Sequence, residues 1–221
     1  ALGLVIIVGA TILKLELIAF SAAVISLISL VNSSVALRTS YRKIDRNYLT
    51  YLCIALLPGL LIGVALLTYL SEVHYFMLRV LLGFVVILAG VLLLLKPALY
   101  RHRSGGALTL AFGVLGGVIG GLFSSGGSAW AYHLYRQPIN VDVIRATLLA
   151  VLIVSCVVRT IMITVAGQMT ASILVTALIS VPVVIAVTEV TTRNLTRIPD
   201  NIVRRLVVGL MTLTGFFLIF G

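Results

Sequence analysis

Apolar stretches long enough to cross a bilayer follow one another from end to end of this chain. Runs such as 78–95 and 206–220 approach the roughly 20 residues that a spanning helix needs. Only 10% of the residues are charged, against about 25% in a soluble domain. That is too little polar surface to cover a water-facing globule. A β-barrel would show segments of about ten residues in strict apolar–polar alternation, and the continuous runs exclude it. The fold class is an all-α polytopic membrane protein.

The formal net charge of +10 does not indicate a nucleic-acid partner. Most Lys and Arg lie in short loops, where cytoplasmic loops of membrane proteins concentrate them; the partner this charge implies is the lipid bilayer. Cys53 and Cys156 fall inside apolar helices without motif spacing and read as small core hydrophobes, neither a disulfide nor a metal pair. No metal and no cofactor is implied.

The hydropathy pattern predicts a short apolar segment over 1–12 and helices near 16–40, 47–70 and 74–95. A basic linker over 96–106 follows, then a glycine-rich segment over 107–136, then helices near 140–166, 171–190 and 200–220. Laying the chain on itself at an offset of 126 puts Arg205 on Arg79 and Gly209 on Gly83. The same offset puts Asp142 on Glu16, Thr147 on Ser21, Ser155 on Ser29 and Thr160 on Ser34. Apolar coincidences are cheap in such a chain, so these polar and glycine matches carry the repeat. A small insertion is needed around Pro58 and Pro182. The first repeat covers 1–95 and the second 107–221, joined by the linker. Residue 1 aligns with residue 127, so a parent sequence is expected to carry roughly 20 or more residues before Ala1, completing the first copy.

Loop charge gives an orientation. The loops at 38–46 (Arg38, Arg42, Lys43, Arg46), 96–106 (Lys96, Arg101, Arg103) and 191–200 (Arg193, Arg197) are expected to be cytoplasmic, and so is the turn at 136–140. Segment 107–136 must then begin and end on one side. As a single helix its roughly 30 residues would extend about 45 Å, with Gly and Ser weakening its middle. A re-entrant hairpin resolves this: in along 107–122, a turn at 124–128, and out along 129–136. Each half then holds one re-entrant element and three crossings, and an odd number of crossings inverts the second copy, as in transporters built from inverted-topology repeats. The rival is a segment that simply spans, giving parallel repeats.

Two features point to a site. Gly113, Gly117 and Gly121, spaced four apart, are explained by close helix packing. Ser124, Ser125, Gly126, Gly127 and Ser128 are not, because they break the helix at membrane depth, where irregular backbone is tolerated only inside protein or beside a wet cavity. The half-helix that follows would aim its N–H groups and positive dipole end at that cavity, an anion site. The second feature is Arg159, about 28 Å along a ~40 Å helix. A guanidinium there costs roughly 2.5–3.5 kcal/mol or more unless paired or hydrated, and no acid lies one turn away; the competing reading is snorkelling to the outer surface. At the repeat-equivalent positions Asn32, Ser33 and Ser34 offer neutral hydrogen bonds, and Ser21 and Thr147 recur as a matched pair of hydroxyls. His133, on the returning arm, is a candidate for proton coupling. Arg145 with Asp142, and Glu189 with Arg193, read as surface pairs; Arg79 and Arg205 read as headgroup anchors or gates.

With its Gly120-Gly121 and Ser124-Ser125-Gly126-Gly127 run, then Tyr132-His133-Leu134-Tyr135-Arg136-Gln137-Pro138 and Arg145-Ala146-Thr147, the chain resembles the TauE/SafE family of sulfite and organosulfonate exporters. Ala19 to Ser21 and Pro58-Gly59 with Gly63 agree more loosely. Many members carry proline after the glycine run, where this chain has Ser128-Ala129. The resemblance implies a secondary transporter of the bacterial inner membrane exporting a small sulfur-containing anion such as sulfite, sulfoacetate or thiosulfate, with a proton or cation as a possible coupling partner. The substrate would be held by Ser124, Ser125, Gly126, Gly127, Ser128 and Arg159, with Asn32, Ser33, Ser21 and Thr147 opposite. The alternatives are a passive anion channel and an intramembrane hydrolase using Ser124 or Ser125 with His133; the latter lacks a nucleophile-elbow signature.

Overall fold

The structure is a computed structural model that describes residues 18–38, 40–73, 75–94, 103–124, 126–194, 209, 213 and 216. Seven α-helices occur among the described residues: α1 (Ile18–Leu37), α2 (Arg46–Val73), α3 (Tyr75–Leu94), α4 (Gly106–Phe123), α5 (Gly127–Leu134), α6 (Val141–Val165) and α7 (Ala171–Asn194). A single 3₁₀ turn, Tyr41–Lys43, links α1 to α2. Among the described residues four segments are long and apolar enough to cross a membrane, Phe20–Leu37, Arg46–Leu70, Gly106–Phe123 and Val141–Val165. The expected segment 1–12, the expected helix over 200–220 apart from Gly209, Leu213 and Phe216, and the loop residues 96–102 and 195–200 lie outside the described residues, as do Ser125 and the side chains of Arg79, Glu189 and Arg193.

Local chemistry sets the helix ends. Asp45 starts α2, its Oδ1 accepting from the N–H groups of Asn47 at 3.1 Å and Tyr48 at 3.3 Å. Asn140 caps α6 by accepting from the Asp142 N–H at 3.0 Å, and Asp142 adds a negative charge at the positive dipole end. At the other end of α6, Gly167 takes φ +70°, and the N–H of Gln168 reaches back to the Ile163 carbonyl at 3.1 Å. This left-handed glycine turn reverses the chain into α7.

The starts of α2, α4 and α6 lie on one face of the bundle and are tied together there. Lys43 pairs with Asp142 at 2.6 Å and Arg103 with Asp45 at 3.6 Å. Asp142 thus bonds the loop after α1, and the surface pair expected with Arg145 gives way to the nearer ammonium. On the opposite face the Gln168 amide donates to Thr68 Oγ1 at 3.3 Å, joining the α6–α7 turn to the far end of α2.

Segment 107–136 folds back on itself. α4 rises 18 residues from the basic face, and α5 returns for 8, about 12 Å and too short to span. The arms are antiparallel: Trp130 Nε1 donates to the Gly113 carbonyl at 3.5 Å, and His133 Nε2 lies 3.1 Å from Thr109 Oγ1. The Gln137 amide donates to Ser104 Oγ at 2.7 Å, closing the base of the hairpin. Its entry and exit therefore share one face.

Glycines let α2 and α4 meet at backbone contact. α2 and α4 run parallel, with Gly59 against Gly117 and Gly63 against Gly121. A Cβ on Gly59 would overlap the Val114 carbonyl and lie 3.0 Å from Gly117 Cα; one on Gly121 would lie 2.8 Å from Gly63 Cα. Without a hydrophobic drive in lipid, such close backbone approach supplies the packing that holds spanning helices together. Outward of this seam, Ile54, Leu57, Leu61 and Ile62 of α2 and Leu115 of α4 are exposed, as lipid-facing side chains should be. Gly59→Val is expected to wedge the seam apart at about 1–3 kcal/mol, seen as a lowered thermal midpoint in detergent. Gly106→Ala, whose Cβ would meet only the Tyr51 ring at 3.5 Å, should leave the midpoint unchanged.

Candidate functional site

The break between α4 and α5 begins at Ser124, which takes φ +54° and ψ 24° and sends its N–H to the Gly120 carbonyl at 2.9 Å. A left-handed serine is strained by about 1–2 kcal/mol, so surrounding contacts must hold it. Gly126 is wedged between the Gly116 carbonyl and the Trp130 ring, where no Cβ fits, and a Cβ on Gly116 would collide with Trp130 Nε1. Gly127 and Ser128 open the first turn of α5, both half-buried. Ser125 is outside the described residues. The tip is thus a packed element in which two glycines let the returning helix lie directly on the first.

Arg159 approaches this tip from α6. It is 1% exposed, so it does not snorkel. Its Nε donates to the Gly121 carbonyl at 3.1 Å, and its Nη1 donates to the Ala22 carbonyl and to Ser26 Oγ, each at 2.6 Å. Gly121 lies in the last turn of α4, whose carbonyls have no intrahelical donor and form the negative dipole end. The guanidinium therefore neutralises the helix end that the break creates, and it ties α4 to α1. Nη2 is buried with no hydrogen-bond partner among the described residues. The two carboxylates whose side chains are described, Asp45 and Asp142, are held by Arg103 and Lys43 on the basic face, so neither serves Arg159; the side chains of Glu72 and Glu189 lie outside the described residues.

Ser26 joins the two features. Its Oγ lies 2.7 Å from Ser124 Oγ and 3.0 Å from the Ala22 carbonyl, besides accepting from Arg159. A hydroxyl has one proton and two lone pairs, so the Ser26 proton serves either Ala22 or Ser124. Ser155, one turn before Arg159, is buried, with its Oγ 3.4 Å from where a Gly120 Cβ would stand. The cluster gathers Ser26, Ser124, Ser155 and Arg159 around the backbone of Gly120 and Gly121.

The other expected site residues fall at different depths. Ser21 precedes Ala22 and is buried. Ser33 is buried and Asn32 half-buried, but Ser33 lies about 10 Å further along α1 than Ser26. Thr147 sits near the basic face, where its Oγ1 accepts from the Asp45 N–H at 3.0 Å and donates to the Val143 carbonyl at 2.8 Å. His133 is fully buried, stacked on Phe112 with ring centroids 4.8 Å apart. Its Nε2 faces Thr109 and, at 3.4 Å, Ser104; its Nδ1 has no partner among the described residues. Thr109 and Ser124 are about 22 Å apart along α4, so Ser124 and His133 do not form a nucleophile–base pair. Ser26 escaped the sequence reading: one serine in a serine-rich apolar helix, it carries no motif, and only the approach of α6 distinguishes it.

A cleft of ≈ 140 Å³ opens on the basic face between the starts of α2 and α4, lined by Tyr48, Tyr51, Arg103, Ser104 and Thr109 among others. It shares no residue with the Arg159 cluster.

Apolar helices around a buried guanidinium and a broken-helix hairpin make up a membrane protein with a polar site inside its bundle, the transporter class of architecture. The chain belongs to the TauE/SafE family: the family model described as "Sulfite exporter TauE/SafE" matches residues 1–218. The family is one of transporters, not enzymes. A curated relative from Cupriavidus necator, described as "Probable sulfite/organosulfonate exporter TauE", is 37% identical over 187 residues, covering 85% of this chain and 73% of its own. No solved structure matches the chain.

Ser26→Ala removes an acceptor from a buried charged donor and the partner of the strained Ser124. It is expected to cost about 1–3 kcal/mol, measured as a lower thermal midpoint in detergent. Ser180→Ala should change little, since the Ser180 hydroxyl bonds only the Thr176 carbonyl of its own helix.

Proposed function

We propose that this protein is a secondary transporter that exports a small sulfur-containing oxyanion, sulfite or an organosulfonate, with the anion held between Arg159 and the 124–128 tip. One observation carries the reading: Arg159 is 1% exposed, with neutral acceptors for three of its donor contacts and Nη2 unpartnered among the described residues. A buried guanidinium without a carboxylate is strongly unfavourable in a bilayer, and an anion at Nη2 would supply the missing charge. The first turn of α5 adds its positive dipole end, and Ser124, Ser128 and Ser155 add hydroxyls. Family membership and the name of the Cupriavidus necator relative support the choice of a sulfur oxyanion.

Transport by alternating access between two inverted repeats, 1–95 and 107–221, is the mechanism in this proposal. It is supported by the hairpin in 107–136, by the matched prolines inside α2 and α7 (Pro58 and Pro182), and by the location of the cluster where α1 meets α4 and α6. The face carrying Arg42, Lys43, Arg103 and Arg136 is cytoplasmic in this reading, in a bacterial inner membrane. Ser21, Asn32 and Ser33 would line the path along α1. His133, buried at the base of the hairpin, is the proton-coupling candidate: His133→Gln should leave sulfite counterflow intact while removing the response of net efflux to an imposed pH gradient.

Arg159→Gln tests the site. In vesicles loaded with sulfite, efflux is expected to fall by at least about tenfold, the loss of roughly 1.4 kcal/mol, while the purified variant remains monodisperse. Efflux at the unaltered rate would remove Arg159 from the substrate site.

A further inference from the structure

The charge balance inside the cluster bears on which anions it can hold. Arg159 is the one fully buried cation among the described residues. It meets two carbonyls and a hydroxyl, all neutral groups, and the carbonyls already direct their negative ends at it. Of the neighbouring elements, α1 contributes Ala22 and Ser26, α4 contributes Gly120 and Gly121, and the tip contributes Ser124. On α6 itself the titratable neighbour is Cys156, buried one turn before Arg159. His133 lies on Thr109, about 18 Å along α4 from Gly121, and the described carboxylates are engaged on the basic face.

Among the described residues, the positive charge available to a bound anion is therefore that of one guanidinium plus the fractional charge of a helix N-terminus, roughly half a unit. In a low-dielectric interior an uncompensated charge is strongly disfavoured. We infer that the site takes monoanions and rejects dianions: one guanidinium among neutral hydroxyls and carbonyls balances a single negative charge. The ligands it fits are hydrogensulfite and monoanionic alkanesulfonates; sulfate, the sulfite dianion and, of the anions the family resemblance implies, thiosulfate and sulfoacetate would carry in a surplus charge. Near neutral pH sulfite exists in both forms, and the protein would select the protonated one. Sulfate and methanesulfonate share a tetrahedral shape and a similar size, a methyl group standing in place of one oxygen, so the main difference the site meets is the extra charge.

This inference rests on the proposed anion site and is tested with the unaltered protein in liposomes. Labelled sulfite counterflow is measured against methanesulfonate, a monoanion at every working pH, and sulfate, a dianion throughout. Methanesulfonate is expected to compete at concentrations at least about tenfold below sulfate. The apparent affinity for total sulfite should rise as pH falls through the protonation of sulfite, while that for methanesulfonate stays constant. Sulfate competing as well as methanesulfonate, or total sulfite binding best at high pH, would overturn the charge selection and leave the anion site standing, because competition would still be seen. Saturable sulfite counterflow that neither anion inhibits would overturn it too. Absence of any saturable sulfite counterflow would overturn the site and the selection together.

Discussion

The guanidinium of Arg159 is the constraint around which the rest of this bundle is arranged. Breaking a helix inside a membrane exposes carbonyls at one end and N–H groups at the other, with no water to satisfy them. Here the carbonyl end of α4 is met by Arg159, which also grips the Ala22 carbonyl and Ser26 of α1. Three helices distant in sequence are thereby fixed at one point. The arrangement is stable only while the charge is compensated, so the architecture and the proposed anion site share the same side chain.

Glycine makes that meeting possible. Gly59 and Gly63 let α2 lie against Gly117 and Gly121 at backbone contact, and Gly116 and Gly126 let the returning half-helix lie on the outgoing one under Trp130. Side chains at these positions would push α4 outward and carry the Gly121 carbonyl away from Arg159. The glycine-rich composition of 107–136 therefore serves packing along the helix and site formation at its end. Around the basic face, Gln137, Ser104, Tyr48 and His133 close the base of the hairpin through short hydrogen bonds. The polar residues of this chain are spent where backbone must stay folded away from water.

Much of this was legible in the residues themselves. The helices at α1, α2, α4, α6 and α7 lie within a few residues of where the apolar runs put them, because a bilayer forces every backbone group into a helix once a run is long enough. The hairpin followed from loop charges and from glycine at mid-segment, two signals that depend on no distant contact. Arg159 stood out because a cation in an apolar helix needs a reason. Ser26 carries no sequence signal, and nothing in the sequence shows that Thr147, a candidate site residue, bonds the Asp45 N–H. A hydroxyl in a helix can bond its own preceding turn, so its presence says nothing about which neighbour it meets.

By itself the sequence determined that the chain is a polytopic membrane protein and where its apolar helices fall; the hairpin over 107–136 and a compensated Arg159 were each one of two readings it left open. These follow from hydropathy, charge and backbone propensity, which act over one or two turns. Only the tertiary structure decided which helices meet at Arg159, that its acceptors are the Ala22 and Gly121 carbonyls and the Ser26 hydroxyl, and that Nη2 has no hydrogen-bond partner among the described residues. Those outcomes depend on residues 38 to 137 positions apart being brought within hydrogen-bond range, and no local signal encodes a contact between helices that glycine alone permits to touch.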